Sequence, residues 1–161
     1  AAGGAGVAGP AQWRSFNLLV VLRDLPHNYT CDDLWYRFHD LLLAIGARPM
    51  TLKILPYQCT NTSAVSTRSP QVQIQLELPV ALTAAQARYA DAAAVSRRVR
   101  LAPGTLKHLT EADCELLEQV NASLLVALPV QVVSPPLDCR APAAARGSFA
   151  LEVQALISSG A

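Results

Sequence analysis

Apolar and polar residues alternate most cleanly over Gln71–Leu78, where Val72, Ile74, Leu76 and Leu78 fall on one side and Gln71, Gln73, Gln75 and Glu77 on the other. Side chains of a strand point alternately to its two faces, so this segment predicts a strand with one wet face. Phe16–Leu22 is different: FNLLVVL is a continuous apolar run ended by Asp24 and Pro26, and it predicts a strand buried on both faces. Thr51–Leu55 reads as a short strand ending at Pro56, and Phe149–Ile157 as a last strand with Phe149, Leu151, Val153 and Ile157 on one face.

Helical spacing appears between the first two strands. Leu34, Trp35, Phe38, Leu41, Leu42 and Ile45 recur on one stripe, Thr30 with Asp33 is an N-terminal cap, and Gly46 closes the helix. Thr83 with Gln86 is a capping box for a second helix running to about Arg98. Its apolar residues are mostly Ala, and Pro103-Gly104 ends the pattern. Thr110 with Asp113 caps a third helix to about Val120, and Leu124–Val133 reads as a strand ended by Ser134-Pro135-Pro136. The segment 57–70 is a polar loop.

The resulting order is β-α-β-β-α-α-β-β. It predicts an α+β, two-layer α/β sandwich with a ferredoxin-like core (β-α-β-β-α-β), one extra helix and one extra C-terminal strand. The domain is expected over 12–158. Residues 1–11 (AAGGAGVAGPA) show no signal peptide and read as a mature terminus exposed by cleavage or a flexible lead-in, and 159–161 as a C-terminal stub.

The 161 residues suit one domain, and 52% hydrophobic content is enough for an aliphatic core. A formal net charge of +1 gives no general attraction to nucleic acid. The apolar stretches Leu41–Ala47 and Leu124–Val133 are too short to cross a bilayer, and Pro129 interrupts the second.

Two independent signals place the chain outside the cytosol. Asn28-Tyr29-Thr30, Asn61-Thr62-Ser63 and Asn121-Ala122-Ser123 are N-glycosylation acceptors. Cys31, Cys59, Cys114 and Cys139 are even in number and widely spaced, as in a disulfide framework, and no C-x-x-C pair suggests zinc or redox chemistry. In a right-handed β-α-β unit the start of the helix lies at the same end as the exit of the following strand. Cys31 opens the first helix and Cys59 follows a strand; Cys114 and Cys139 repeat the arrangement. The expected pairs are Cys31–Cys59 and Cys114–Cys139.

Catalytic signals are missing. No G-x-S-x-G, H-E-x-x-H or P-loop occurs. His27, His39 and His108 are scattered and read as ordinary side chains rather than metal ligands, and Asp32-Asp33 complements a helix dipole. Arg97-Arg98-Val99-Arg100 has three readings: cations at a helix C-terminus, a processing site for a basic-specific convertase, or an anion-binding patch for sulfated glycans with Arg88 and Lys107. Gly147-Ser148-Phe149 resembles the Gly-Ser cleavage site of self-cleaving SEA domains, over two or three residues only and at the end of the chain rather than in an internal hairpin, so no function is carried over. Tyr36 is expected to point outward as an interface anchor.

The expected function is a secreted or cell-surface interaction domain, a receptor ectodomain or a secreted ligand. It has no catalytic activity, cofactor or metal, and its partner is another extracellular protein or a homodimer mate. The alternatives are a secreted enzyme with an unrecognised site and a carrier of a small hydrophobic molecule.

Overall fold

Gln71–Leu78 lies where two strands sandwich it. A computed structural model of the chain describes residues 7–55, 66–140 and 149–159. In chain order they form β1 (Gly9–Val21), β2 (Tyr29–Thr30), α1 (Cys31–Ala44), β3 (Arg48–Leu55), β4 (Ser66–Thr67), β5 (Gln71–Ala81), β6 (Ala92–Leu101), α2 (Cys114–Ser123), β7 (Gln131–Val132) and β8 (Leu151–Ser158). This is a mixed α/β fold. Its main sheet has six strands in the order β3-β5-β1-β6-β8-β7, all neighbours antiparallel, and β2 pairs with β4 apart from it.

The alternation of β5 does what its pattern requires. Val72, Ile74, Leu76 and Leu78 are buried, while Gln71, Gln73 and Gln75 are exposed. β1 pairs with β5 from Ala11↔Ala81 to Val21↔Gln71, so its Phe16, Leu18 and Val20 share the core face. The continuous apolar run is therefore not buried on both faces: Leu19 is 54% exposed. β1 also begins at Gly9, inside the expected lead-in of 1–11, because Ala11 pairs with Ala81 on one side and Ala92 on the other.

α1 packs on this sheet through Leu34, Phe38, Leu41, Leu42 and Ile45, all buried. Thr30 Oγ1 accepts the Asp33 N–H at 3.1 Å, and the Asp33 carboxylate accepts the Thr30 N–H at 3.2 Å, which satisfies two donors at the helix start. Burying one such Leu or Phe contributes about 1.5–3 kcal/mol, and one core cluster runs through α1, α2 and the sheet. The exit at Gly46 has φ +91°, and a Cβ there would lie 2.7 Å from the Leu156 carbonyl oxygen, so glycine is needed for both conformation and space.

The second half departs from expectation. Ala84–Tyr89 makes one short 3-10 segment with no buried residue, and Ala92–Leu101 is a strand. The helix expected from Thr83 to Arg98 stops early because an alanine face offers little area to bury, whereas Val95, Val99 and Leu101 alternate and pair with β8. Leu124–Val133 is not one strand either. Leu125–Ala127 is a 3-10 turn, and only Gln131–Val132 joins the sheet beyond Pro129. The strand order does not reproduce the expected ferredoxin-like core: β6 follows β5 without a crossover helix, and α2 comes after β6.

Candidate interaction surface

The α1 face turned away from the core carries Trp35, Tyr36, His39, Asp40 and Leu43, so Trp35 does not join Leu34 and Phe38 on the buried stripe that its spacing predicts. Their rings are organised. Trp35 stacks on His39 (centroids 4.6 Å apart, planes 12°) and meets Tyr36 edge-on at 5.2 Å. Tyr36 in turn stacks on His108, at 4.8 Å and 24°. His108 comes from the connection after β6. Asp40 Oδ2 accepts its backbone N–H at 3.1 Å and lies 2.6 Å from its ring Nδ1. One carboxylate thereby fixes both the loop and the ring, leaving Nε2 as the ring's remaining polar atom.

Tyr36 is 47% exposed and Leu43 52% exposed. Aromatic rings already held in place lose little conformational freedom on binding, so this stripe suits protein recognition. Leu43 also borders an open cleft of about 580 Å³, lined further by Trp13, Gly46, Arg48, Asp91, Ile157 and Ser158. The charged groups of that cleft are engaged. Arg48 lies 3.7 Å over the Trp13 ring and bonds Glu77 at 2.7 Å, while Asp91 accepts the Trp13 N–H at 2.9 Å.

A second polar cluster is internal. Asp113 is 1% exposed and accepts hydrogen bonds from Tyr29 Oη (2.7 Å), Arg37 Nε (2.8 Å), Thr110 N (2.8 Å) and Thr110 Oγ1 (3.0 Å). Burial pushes the Tyr29 phenol well above its ordinary range, and its hydrogen bond to Asp113 and that negative charge add to the shift. Four hydrogen bonds from three residues, the one from Arg37 an ion pair, make this a structural tie between the starts of α1 and α2.

Cys114, in the first turn of α2, is bonded to Cys139, with Cα atoms 5.6 Å apart. Cys31 is disulfide-bonded as well; its expected partner Cys59 lies outside the described residues. Asn28 is exposed ahead of β2 and Asn121 is half-buried in α2, while Asn61 lies outside the described residues, as do Gly147 and Ser148. His27 is exposed in a turn; Asp32 is exposed and Asp33 caps α1.

The arginines sit on β6, not at a helix C-terminus. Arg98 and Arg100 share one side of the strand and Arg97 the other, so the three do not make one anion patch. A convertase would have to lift the segment off β8, with which it pairs from Ala94 to Leu101.

An apolar void of about 10 Å³ among Phe38, Leu41, Leu109, Leu116, Leu117 and Val120 is too small for a hydrophobic ligand. Among the described residues no group of three His, Cys, Asp or Glu could hold a metal, and no helix is long and apolar enough to cross a membrane. Only Tyr36 of the stripe was marked by the sequence as an anchor. The pairing of Asp40 with His108 spans 68 residues and has no local signal. Compared with known proteins, the chain matches no family model, no curated protein and no solved structure.

Proposed function

We propose that this chain is an extracellular protein-interaction domain, a receptor ectodomain or secreted ligand without catalytic activity. Disulfides Cys31–Cys59 and Cys114–Cys139 brace it, and Asn28, Asn61 and Asn121 carry N-glycans. Its partner docks on the α1 stripe around Tyr36, His39, Leu43 and His108. The observation that carries this reading is the Cys114–Cys139 bond in a domain whose helix exposes clamped aromatic rings.

Peptide mass spectrometry on protein secreted from mammalian cells, with and without reduction and deglycosylation, tests it. Linked Cys31–Cys59 and Cys114–Cys139 peptides with sugar on the three asparagines are expected. Four free thiols and bare asparagines in a folded product would overturn the extracellular reading.

The enzyme alternative rests on the Asp40–His108 pair, since a carboxylate orienting an imidazole is half of a hydrolytic triad. It lacks a nucleophile: among the described residues no hydroxyl or thiol is bonded to His108. Turnover of an ester or peptide substrate that disappears in His108→Ala would favour this alternative.

A further inference from the structure

β1 is flanked by β5 from Ala11 to Val21 but meets β6 only at Gly9–Ala11. Main-chain bonds fix which residues face which neighbour. Leu82 donates to the Pro10 carbonyl at 3.0 Å and Leu22 donates to the Pro70 carbonyl at 3.0 Å, so even-numbered residues of β1 turn to β5. Odd-numbered residues turn to the other edge, and both ends of that edge are closed by side chains. Trp13 N–H donates to Asp91 Oδ1 at 2.9 Å. The Arg23 N–H donates to Gln119 Oε1, and its carbonyl accepts from Gln119 Nε2, each at 2.8 Å.

Between these closures the main-chain groups of Ser15, Asn17, Leu19 and Val21 face that edge without a partner among the described residues. Ser15, Asn17 and Leu19 are exposed, and Phe16 and Leu18, which turn to the core face, are only half-buried. Exposed edges usually carry a Lys, a Pro or a bulge that repels another strand. Ser15–Val21 (SFNLLVV) has neither residue, and its register against β5 is unbroken.

We propose that a second copy of this chain adds its β1 here, antiparallel, about a two-fold axis at Asn17. In that register Asn17 faces Asn17 and Ser15 faces Leu19, so the outward N–H and C=O groups pair with each other. On the core face Phe16 of each copy meets Leu18 of the other, covering the apolar side chains that the single copy leaves half-buried. Ser15–Val21 holds no charge, so the two strands bring no like charges together. An unrelated strand would satisfy the hydrogen bonds but has no reason to match Phe16 with Leu18. A sugar on Asn121 leaves the edge clear, because Asn121 lies about 200° around α2 from Gln119, whose side chain bonds Arg23 just past the end of β1. This inference stands without the extracellular reading.

The test is sedimentation equilibrium of the full chain up to about 1 mM, with amide hydrogen exchange read at high and low concentration. Dimers are expected, with Ser15, Asn17, Leu19 and Val21 amides protected only where dimer forms. Asn17→Pro removes one outward N–H and none of the β5 ladder, and Leu19→Lys adds a charge on each side of the axis; each is expected to weaken dimerisation about tenfold or more. Asn17→Cys should cross-link copies spontaneously, since facing Cα atoms of a hydrogen-bonded pair lie about 5.5 Å apart, while Gln73→Cys, one strand further in, should not. A wild type that stays monomeric overturns the proposal. So do variants that dimerise unchanged, equal cross-linking at both cysteines, or amide protection that persists in dilute monomer. The last result would mean that a segment of the same chain covers the edge. Should Asn17→Pro not fold, Leu19→Lys and Asn17→Cys still decide the matter.

Discussion

The hydroxyl of Tyr29 donates to the carboxylate of Asp113 at 2.7 Å across 84 residues of chain, and nothing of this bond reaches solvent. Asp113 also pairs with Arg37 and caps its own short helical turn through Thr110. Removing the carboxylate leaves the buried Tyr29 phenol without its acceptor and takes from Arg37 its buried partner, leaving the guanidinium its contacts to Asp33. Asp113→Ala is expected to cost about 3–5 kcal/mol and Tyr29→Phe about 1–2 kcal/mol, read by guanidinium denaturation with the disulfides intact.

The same pair makes stability depend on alkaline pH. The Tyr29 phenol is held neutral in the folded chain, far above the ordinary value of about 10 that it regains on unfolding. Its contribution is complete below about pH 10 and is lost as pH rises beyond that, because only the unfolded chain then releases the proton. Denaturation midpoints of the wild type should therefore fall faster than those of Tyr29→Phe as pH rises above about 10. Parallel slopes would mean that Tyr29 ionises while folded.

Cys114 and Cys139 are 25 residues apart. Replacing both with serine should cost about 3–4 kcal/mol, the loop entropy returned to the unfolded chain. Calorimetry of the double variant against the wild type measures it.

Gly46 and Gly104 both have positive φ, +91° and +90°, but different surroundings. A Cβ at Gly46 would meet the Leu156 carbonyl oxygen at 2.7 Å, while one at Gly104 meets nothing within 4 Å. Gly104→Ala should cost about 1–2 kcal/mol of backbone strain, and Gly46→Ala clearly more, since α1 must also move off β8. Equal thermal shifts in the two variants would contradict the close approach.

Tyr36 and Leu43 are half-exposed on α1. Tyr36→Ala and Leu43→Ser should each change stability by less than about 1 kcal/mol, yet, if the proposed docking on α1 holds, weaken binding of the domain to cells bearing the proposed partner by about tenfold or more. Thermal melting paired with cell-surface titration separates the two effects.

The sequence by itself determined what short-range chemistry decides. Thr30 and Asp33 are three residues apart, so their capping box forms wherever the helix forms. The alternation of Gln71–Leu78 dictates one wet and one dry face whatever lies beside it. The Cys114–Cys139 bond does not need the full strand that Leu124–Val133 predicts; it forms because the chain beyond the short β7 still returns to the start of α2. Tertiary structure decided the rest. Thr83–Gln86 is a good helix start, but an alanine face cannot anchor a helix, and Ala92–Leu101 gains more by pairing with β8. That β1 has an open edge among the described residues depends on closures 78 and 96 residues apart in the chain, and Asp40 clamping His108 and Asp113 holding Tyr29 on contacts 68 and 84 residues apart. Contacts at that separation leave no periodicity or spacing to read, because packing alone brings them together.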